Sequence, residues 1–183
     1  MSFMDNALSF STSWSSPQTV TTTADSTNVI DITGAGSGNA PTMISGFPAA
    51  NTAVGDDYGA GDGVAIPYLY ITVPSLTAGT QTGTVTITLS AAPDDGSYGQ
   101  GSYTTLITLP AITGTNLNSA LGHYIIIPLP PTQFAWTNEK PPRFYKLTYT
   151  VSGTQSTKFL AGLMLNPPSS LLLGQYNENF IAV

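Results

Sequence analysis

Apolar and polar residues alternate with a period of two along much of this chain. In Thr84-Val85-Thr86-Ile87-Thr88-Leu89 every second residue is apolar and the others are threonine, the pattern of a strand with one face on a core and the other toward solvent or a partner. Within Tyr68 to Val73, Leu69, Ile71 and Val73 alternate with Tyr70 and Thr72. Phe144 to Val151 sets Tyr145, Leu147, Tyr149 and Val151 against Lys146, Thr148 and Thr150. Lys158 to Leu165 sets Phe159, Ala161, Leu163 and Leu165 against Leu160, Gly162 and Met164. Shorter runs lie at Asn28 to Ile32, Tyr103 to Leu109 and Tyr124 to Leu129. The inward positions predict a core containing Val85, Ile87, Leu89, Leu147, Tyr149, Leu163 and Leu165.

Turn residues fall between these runs. Ser152-Gly153-Thr154-Gln155-Ser156 predicts a hairpin loop, and Leu76 to Gly83 a second connection. Pro74, Pro93, Pro110, Pro128, Pro130, Pro131, Pro141 and Pro142 sit at or near run ends, where a missing N–H disturbs a ladder least. Thr115 to Leu121 has room for one short helical turn, and no window has the caps and period of a longer amphipathic helix. Seven or eight short strands predict an all-β single domain, a jelly roll or antiparallel β-sandwich. Residues 33–66, rich in Gly, Ala, Asn and Asp, are read as an insertion. The double proline Pro167-Pro168 ends the jelly-roll unit of residues 1–168. The apolar stretch 169–183, with Leu171, Leu172, Leu173, Tyr176, Phe180 and Ile181, is a C-terminal arm, laid on a neighbour or folded back on its own domain.

Composition changes the picture mainly by exclusion. The 183 residues are 41% hydrophobic but only 8% charged, against roughly 25% in a typical soluble domain. Thr, Ser, Asn and Gln must therefore solvate the surface, and such a surface does little to keep copies apart. A net charge of −6 speaks against nucleic-acid binding, which needs clustered cations. No segment has the apolar length of a membrane span, and Met1 to Ser16 lacks the basic start and apolar stretch of a signal peptide, so synthesis in a cytoplasm is expected. One histidine and no cysteine leave little from which to build a nucleophile, its base and an electrophilic clamp. No enzyme, cofactor or metal site is expected.

Individual candidates agree. Asp56, Asp57 and Asp62 in a glycine-rich loop have oxygens suited to Ca²⁺ but lack the alternating ligand spacing and closing Glu of an EF-hand, and a solvated loop is the simpler reading. Asp94-Asp95-Gly96 reads as a turn. His123 has no evident partner. The Gly34 to Gly38 run has no Lys-Ser/Thr after it and is not a phosphate loop. The four cations Lys140, Arg143, Lys146 and Lys158 cluster around the Pro141-Pro142 corner and the following hairpin, away from most of the acids. They form a candidate docking edge for an acidic partner, or a guard against edge-to-edge aggregation.

Five runs taken in order resemble a known family. Gln18-Thr19-Val20-Thr21-Thr22-Thr23-Ala24-Asp25-Ser26-Thr27-Asn28-Val29-Ile30-Asp31 is followed by Tyr68 to Val73, Thr84 to Leu89 with Ser90-Ala91, Phe144 to Thr154, and Lys158 to Leu165. This set is similar to the capsid cement (head decoration) proteins of short-tailed bacteriophages, the Bordetella-phage type. The resemblance implies a jelly-roll virion protein on the capsid exterior that clamps neighbouring major capsid protein subunits and stabilises the expanded head. It fits self-association as a homo-dimer or homo-trimer. Arg143, Lys146, Lys158, Leu171, Leu172, Leu173, Tyr176 and Phe180 are the expected partner-binding residues. The alternative is a carbohydrate-binding β-sandwich or fibre module, with Trp14, Trp136, Tyr58 and Tyr98 as a stacking platform.

Overall fold

The computed structural model describes residues 8–31, 67–76, 81–97, 99–119, 124–129 and 142–165. These contain β1 (Gln18–Val20), β2 (Ala24–Asp25), β3 (Ile30–Asp31), β4 (Pro67–Leu76), β5 (Thr84–Pro93), β6 (Thr104–Thr108), β7 (Ile112–Thr113), the short helix α1 (Gly114–Ser119), β8 (Tyr124–Pro128), β9 (Pro142–Ser152) and β10 (Thr157–Leu165). The insertion 33–66, the arm 169–183 with Leu171, Leu172, Leu173, Tyr176 and Phe180, and Lys140 lie outside the described residues. So do His123, the Asp56/Asp57/Asp62 loop, Trp136, Tyr58 and Tyr98.

The strands form two antiparallel sheets. Sheet I runs β1-β10-β4-β8 and sheet II runs β2-β9-β5-β6, with β3 continuing the β2 edge along β9 and β7 continuing the β6 edge along β5. Each sheet thus has four lanes. Counted in chain order as β1, β2/β3, β4, β5, β6/β7, β8, β9 and β10, sheet I runs first-eighth-third-sixth and sheet II second-seventh-fourth-fifth. That is the interleaved order of a jelly roll, one of the two all-β architectures the strand pattern left open.

Alternation decides which side chains fill the space between the sheets. Val85, Ile87, Leu89, Leu147, Tyr149 and Leu163 are all buried, as expected, together with Leu69, Ile71, Val73, Phe159 and Ala161, and the Leu165 side chain lies outside the described ones. Tyr149 of sheet II stacks on Phe159 of sheet I, ring centroids 5.1 Å apart, and burial raises its hydroxyl pKa. Ahead of β1 the chain already follows the β1 lane. Ser9 bridges Gly162, and the N–H groups of Phe10 and Ser11 both donate to the Ala161 carbonyl at 2.9 and 3.4 Å. This places the fully buried Phe10 in the core.

The Ser152 to Ser156 connection is not a hairpin loop. β9 belongs to sheet II and β10 to sheet I, so these residues carry the chain across the gap between the sheets. A Gly-containing polar loop marks a reversal equally well in both cases, and nothing local says whether the next strand bonds to the previous one. The crossing is locked to the residues that lead into β5. Thr82 and Gly83 N–H both donate to the Thr154 carbonyl at 3.1 and 2.9 Å. Gly153 has φ +80°, which favours glycine, and a Cβ on Gly83 would lie 2.1 Å from the Ser152 carbonyl oxygen.

By contrast β5 and β6 form a true hairpin, and Asp94-Asp95-Gly96 is its turn, as expected. Asp94 accepts from Gly96 N–H at 2.7 Å, Asp95 from Ser97 and Gly99 N–H at 2.7 and 2.9 Å, and Gly96 has φ +94°.

Candidate interaction surfaces

The described residues contain no cluster of three His, Cys, Asp or Glu side chains that could hold a metal ion. A cavity of about 50 Å³ lies between Ile71, Val73, Ile112, Leu117 and Phe159, and Thr72 and Tyr124 are the hydroxyl-bearing residues among those that line it. Its walls hold no convergent acid, base or nucleophile.

The run Gln18 to Asp31 acts as a clasp that fastens a broken edge lane. The Gln18 side chain brackets the turn after β2, its amide nitrogen donating to the Asp25 carbonyl at 2.8 Å and its oxygen accepting from Thr27 N–H at 2.9 Å. Ser26 bridges the break between β2 and β3. Its N–H donates to the Leu147 carbonyl at 2.7 Å, and its hydroxyl accepts from Leu147 N–H at 3.1 Å. Asn28 ties the clasp to the N-terminal lane, donating from its side chain to the Ser9 and Ser11 carbonyls at 3.2 and 2.5 Å. Short polar side chains that replace missing ladder bonds keep an interrupted edge ordered.

Three of the cations picked out by the sequence are described, and the fold separates them. Arg143 donates from Nε and Nη2 to the two oxygens of Asp31 at 3.0 and 2.9 Å, and from Nη1 to Asp94. It sits at the register shift between β5 and β9, its guanidinium 4.7 Å from the Phe144 ring centroid. The Arg143 and Asp31 side chains are only 8% and 7% exposed. The hydrogen bonds that Arg143 donates to Asp31 are the first cause that raises the Arg143 pKa. This arginine therefore joins β3, β9 and the β5 turn, and its charge is engaged inside the chain.

Lys146 lies on the outer face of sheet II. Its ammonium donates to Asp25 at 2.8 Å and sits 4.4 Å from the Tyr103 ring centroid. Burial acts to raise the Asp25 pKa, but the hydrogen bonds from Lys146 and Thr148 and the Lys146 charge outweigh it and hold the carboxyl below its ordinary value. Burial, with the Asp25 charge, pushes the Tyr103 hydroxyl up to about 12. Lys158 lies on β10, between Thr19 and Ser75 in register, on the outer face of sheet I. No ion pair of Lys158 occurs among the described residues. The single cationic hairpin expected from the sequence is thus divided between opposite faces of the sandwich.

The two outer faces differ in chemistry. Sheet II carries a rank of uncharged β-branched hydroxyls, with Thr88 between Thr108 and Thr148, and Thr86 beside Thr150. Sheet I carries three aromatic rings, of which the sequence reading picked out Trp14 as a stacking residue and missed Tyr70 and Tyr124. Residues 12–17 leave the β1 lane as a loop closed by the Ser13–Ser16 bridge. Trp14 lies against Gly162, where a Cβ would come within 2.4 Å of its ring. Trp14 and Tyr70 have ring centroids 5.8 Å apart, and Tyr70 and Tyr124 are stacked at 5.9 Å. The outward parity of Tyr70 and Tyr124 was readable from the alternation, but the approach of Trp14 was not.

At the open side of the sandwich, Leu109, Pro110, Ala111, Ile112, Asn116 and Ile125 line a shallow groove of about 340 Å³. Ile125, 37% exposed, is the one exposed large hydrophobic side chain among the described residues.

Comparison with models of known protein families gave no match, and comparison with curated proteins gave none.

Proposed function

We propose that this chain is a structural virion protein that binds the outer surface of a tailed-phage icosahedral capsid and cements neighbouring major capsid protein subunits, stabilising the expanded head. The observation that carries this reading is where the family-like runs fall. The Gln18 to Asp31 run spans β1 to β3, and the other four coincide with β4, β5, β9 and β10. The resemblance therefore covers the inner lanes of both sheets and the clasp on their edge, and not interchangeable loops.

The physical role is linkage rather than chemistry. A protein that binds only the assembled, expanded shell stabilises that state by mass action, and many copies under closed symmetry multiply modest contacts. Stiff Thr-rich strands suit a brace that meets its neighbours by shape and hydrogen bonds. Self-association as a dimer or trimer would let each protomer grip an adjacent capsid subunit, and residues 171–183 would serve as the arm between copies. Lys158, the one charged side chain among the described residues of sheet I, is the favoured cationic contact. The protein would be made in the host cytoplasm and end on the capsid exterior.

The test is sedimentation of the purified full-length chain with empty capsid shells of a short-tailed phage before and after expansion. Saturable binding to the expanded shells, with weaker binding after Lys158→Glu or deletion of residues 171–183, is expected. A folded chain that leaves expanded shells bare overturns the proposal.

A further inference from the structure

We infer that the outer face of sheet I carries a binding site for an uncharged glycan on the aromatic row Trp14–Tyr70–Tyr124. This site is separate from the capsid-cementing role and stands without it.

The row is built into the most regular part of the fold. Tyr70 faces Gly162 across the β4–β10 ladder, and Tyr124 faces Thr72 across β4–β8. The inward neighbours Leu69, Ile71 and Val73 are buried, so Tyr70 and Tyr124 point outward by alternation. The absence of a side chain at Gly162 creates the seat in which Trp14 lies. Three half-buried rings thus lie over β10, β4 and β8 in two steps of 5.8 and 5.9 Å, the Trp14 plane tilted by 58° to that of Tyr70 and the Tyr70 and Tyr124 planes 22° apart. Backbone pairing fixes Tyr70 and Tyr124, and the seat at Gly162 holds Trp14, before any ligand arrives, which lowers the ordering cost of binding.

Ring chemistry selects the ligand class. An aromatic face is apolar and carries the negative side of its quadrupole. It is matched by the weakly positive C–H face of a pyranose, whose hydroxyls remain free at the rim. Polar groups beside the row are hydroxyls. Thr72, between Tyr70 and Tyr124 in the ladder, hydrogen-bonds Tyr70, whose pKa burial nevertheless raises. Rings edged by a few fixed polar groups are the composition of a small-molecule site.

Charge excludes the main competitor. Nucleic-acid bases also stack on aromatic rows, but their backbone needs a cationic track. β1, β4, β8, β10 and residues 8–17 together contain one charged side chain, Lys158, four positions along β10 from Gly162. A row three rings long takes successive sugar rings of an oligosaccharide better than a single monosaccharide.

The experiment titrates the full-length protein with cellohexaose, maltohexaose and chitohexaose by calorimetry, at low and high salt. Saturable binding of at least one, insensitive to salt, is expected. Tyr70→Ala and Tyr124→Ala should each weaken it about tenfold or more, with melting as in the parent. If Tyr124→Ala lowers the melting temperature, Tyr124→Leu, which keeps apolar bulk but no ring, is read in its place with the same expectation. Absence of binding to all three sugars overturns the inference, and so does binding that the ring substitutions leave unchanged.

Discussion

Removing the Arg143 guanidinium tests whether this residue is a structural clamp or a docking cation. In Arg143→Met the chain keeps apolar bulk against Phe144 but leaves Asp31, 7% exposed and held bidentately in the parent, without its counter-charge. Breaking a buried pair from one side costs about 3–5 kcal/mol, because the remaining ion is still desolvated. Asp94 adds less, since its carboxylate is 29% exposed and water can replace the lost bond. The loss is a large part of the roughly 5–15 kcal/mol that stabilises a typical domain, and equals a fall in melting temperature on the order of 10 °C for a chain of this length. Replacing both partners, Asp31→Leu with Arg143→Met, removes the stranded charge and should cost less than either single change. Equilibrium urea unfolding of the three variants measures this. A single-variant loss under about 1 kcal/mol, or a double-variant loss equal to the sum of the singles, would refute the clamp.

Other expectations follow from the same structure. Ile87→Ala or Leu147→Ala, both at fully buried positions, should cost about 2–5 kcal/mol in chemical denaturation; a loss near zero would mean that the inter-sheet space is not close-packed there. Gly162→Ala drives a Cβ into the Trp14 ring and the Leu8 carbonyl, so tryptophan emission should shift to the red as Trp14 leaves its seat, and an unshifted spectrum would contradict the packing. Because the Asp25 carboxyl is held below its ordinary value of 3.8, its contribution is present above that pH and lost as pH falls through the lowered value. Asp25→Asn should therefore cost roughly 0.2–1 kcal/mol at neutral pH, an exposed-pair magnitude, and the gap to the parent should close in acid; a gap that widens in acid reverses the assignment. In an alkaline absorbance titration, Tyr103→Phe should remove a late-ionising tyrosine near pH 12, and loss of an early one would refute the burial of its hydroxyl.

The all-β class, the positions of the main strands and the inward side of each were legible in the sequence, because side-chain direction in a strand is a local property with a period of two. Val85, Ile87, Leu89, Leu147, Tyr149 and Leu163 are core for that reason alone. The Asp94-Asp95-Gly96 turn was legible too, since its hydrogen bonds close within a few residues.

What the pattern could not contain is which strand lies beside which. Ser152 to Ser156 has the composition of a hairpin loop and yet crosses between sheets, because this topology puts β9 and β10 in opposite layers while it keeps β5 and β6 in one, and local turn chemistry is the same either way. That assignment also decided the surfaces. Lys146 and Lys158, twelve residues apart in the chain, came to opposite faces, while Arg143 met Asp31 across a separation of 112 residues and turned from a surface cation into an internal clamp. Trp14 reached Tyr70 and Tyr124 only because Gly162 leaves room on β10. Strand identity and strand face are set by nearest neighbours along the chain, whereas ion pairs and ring contacts depend on distances that exist only once the two sheets have packed.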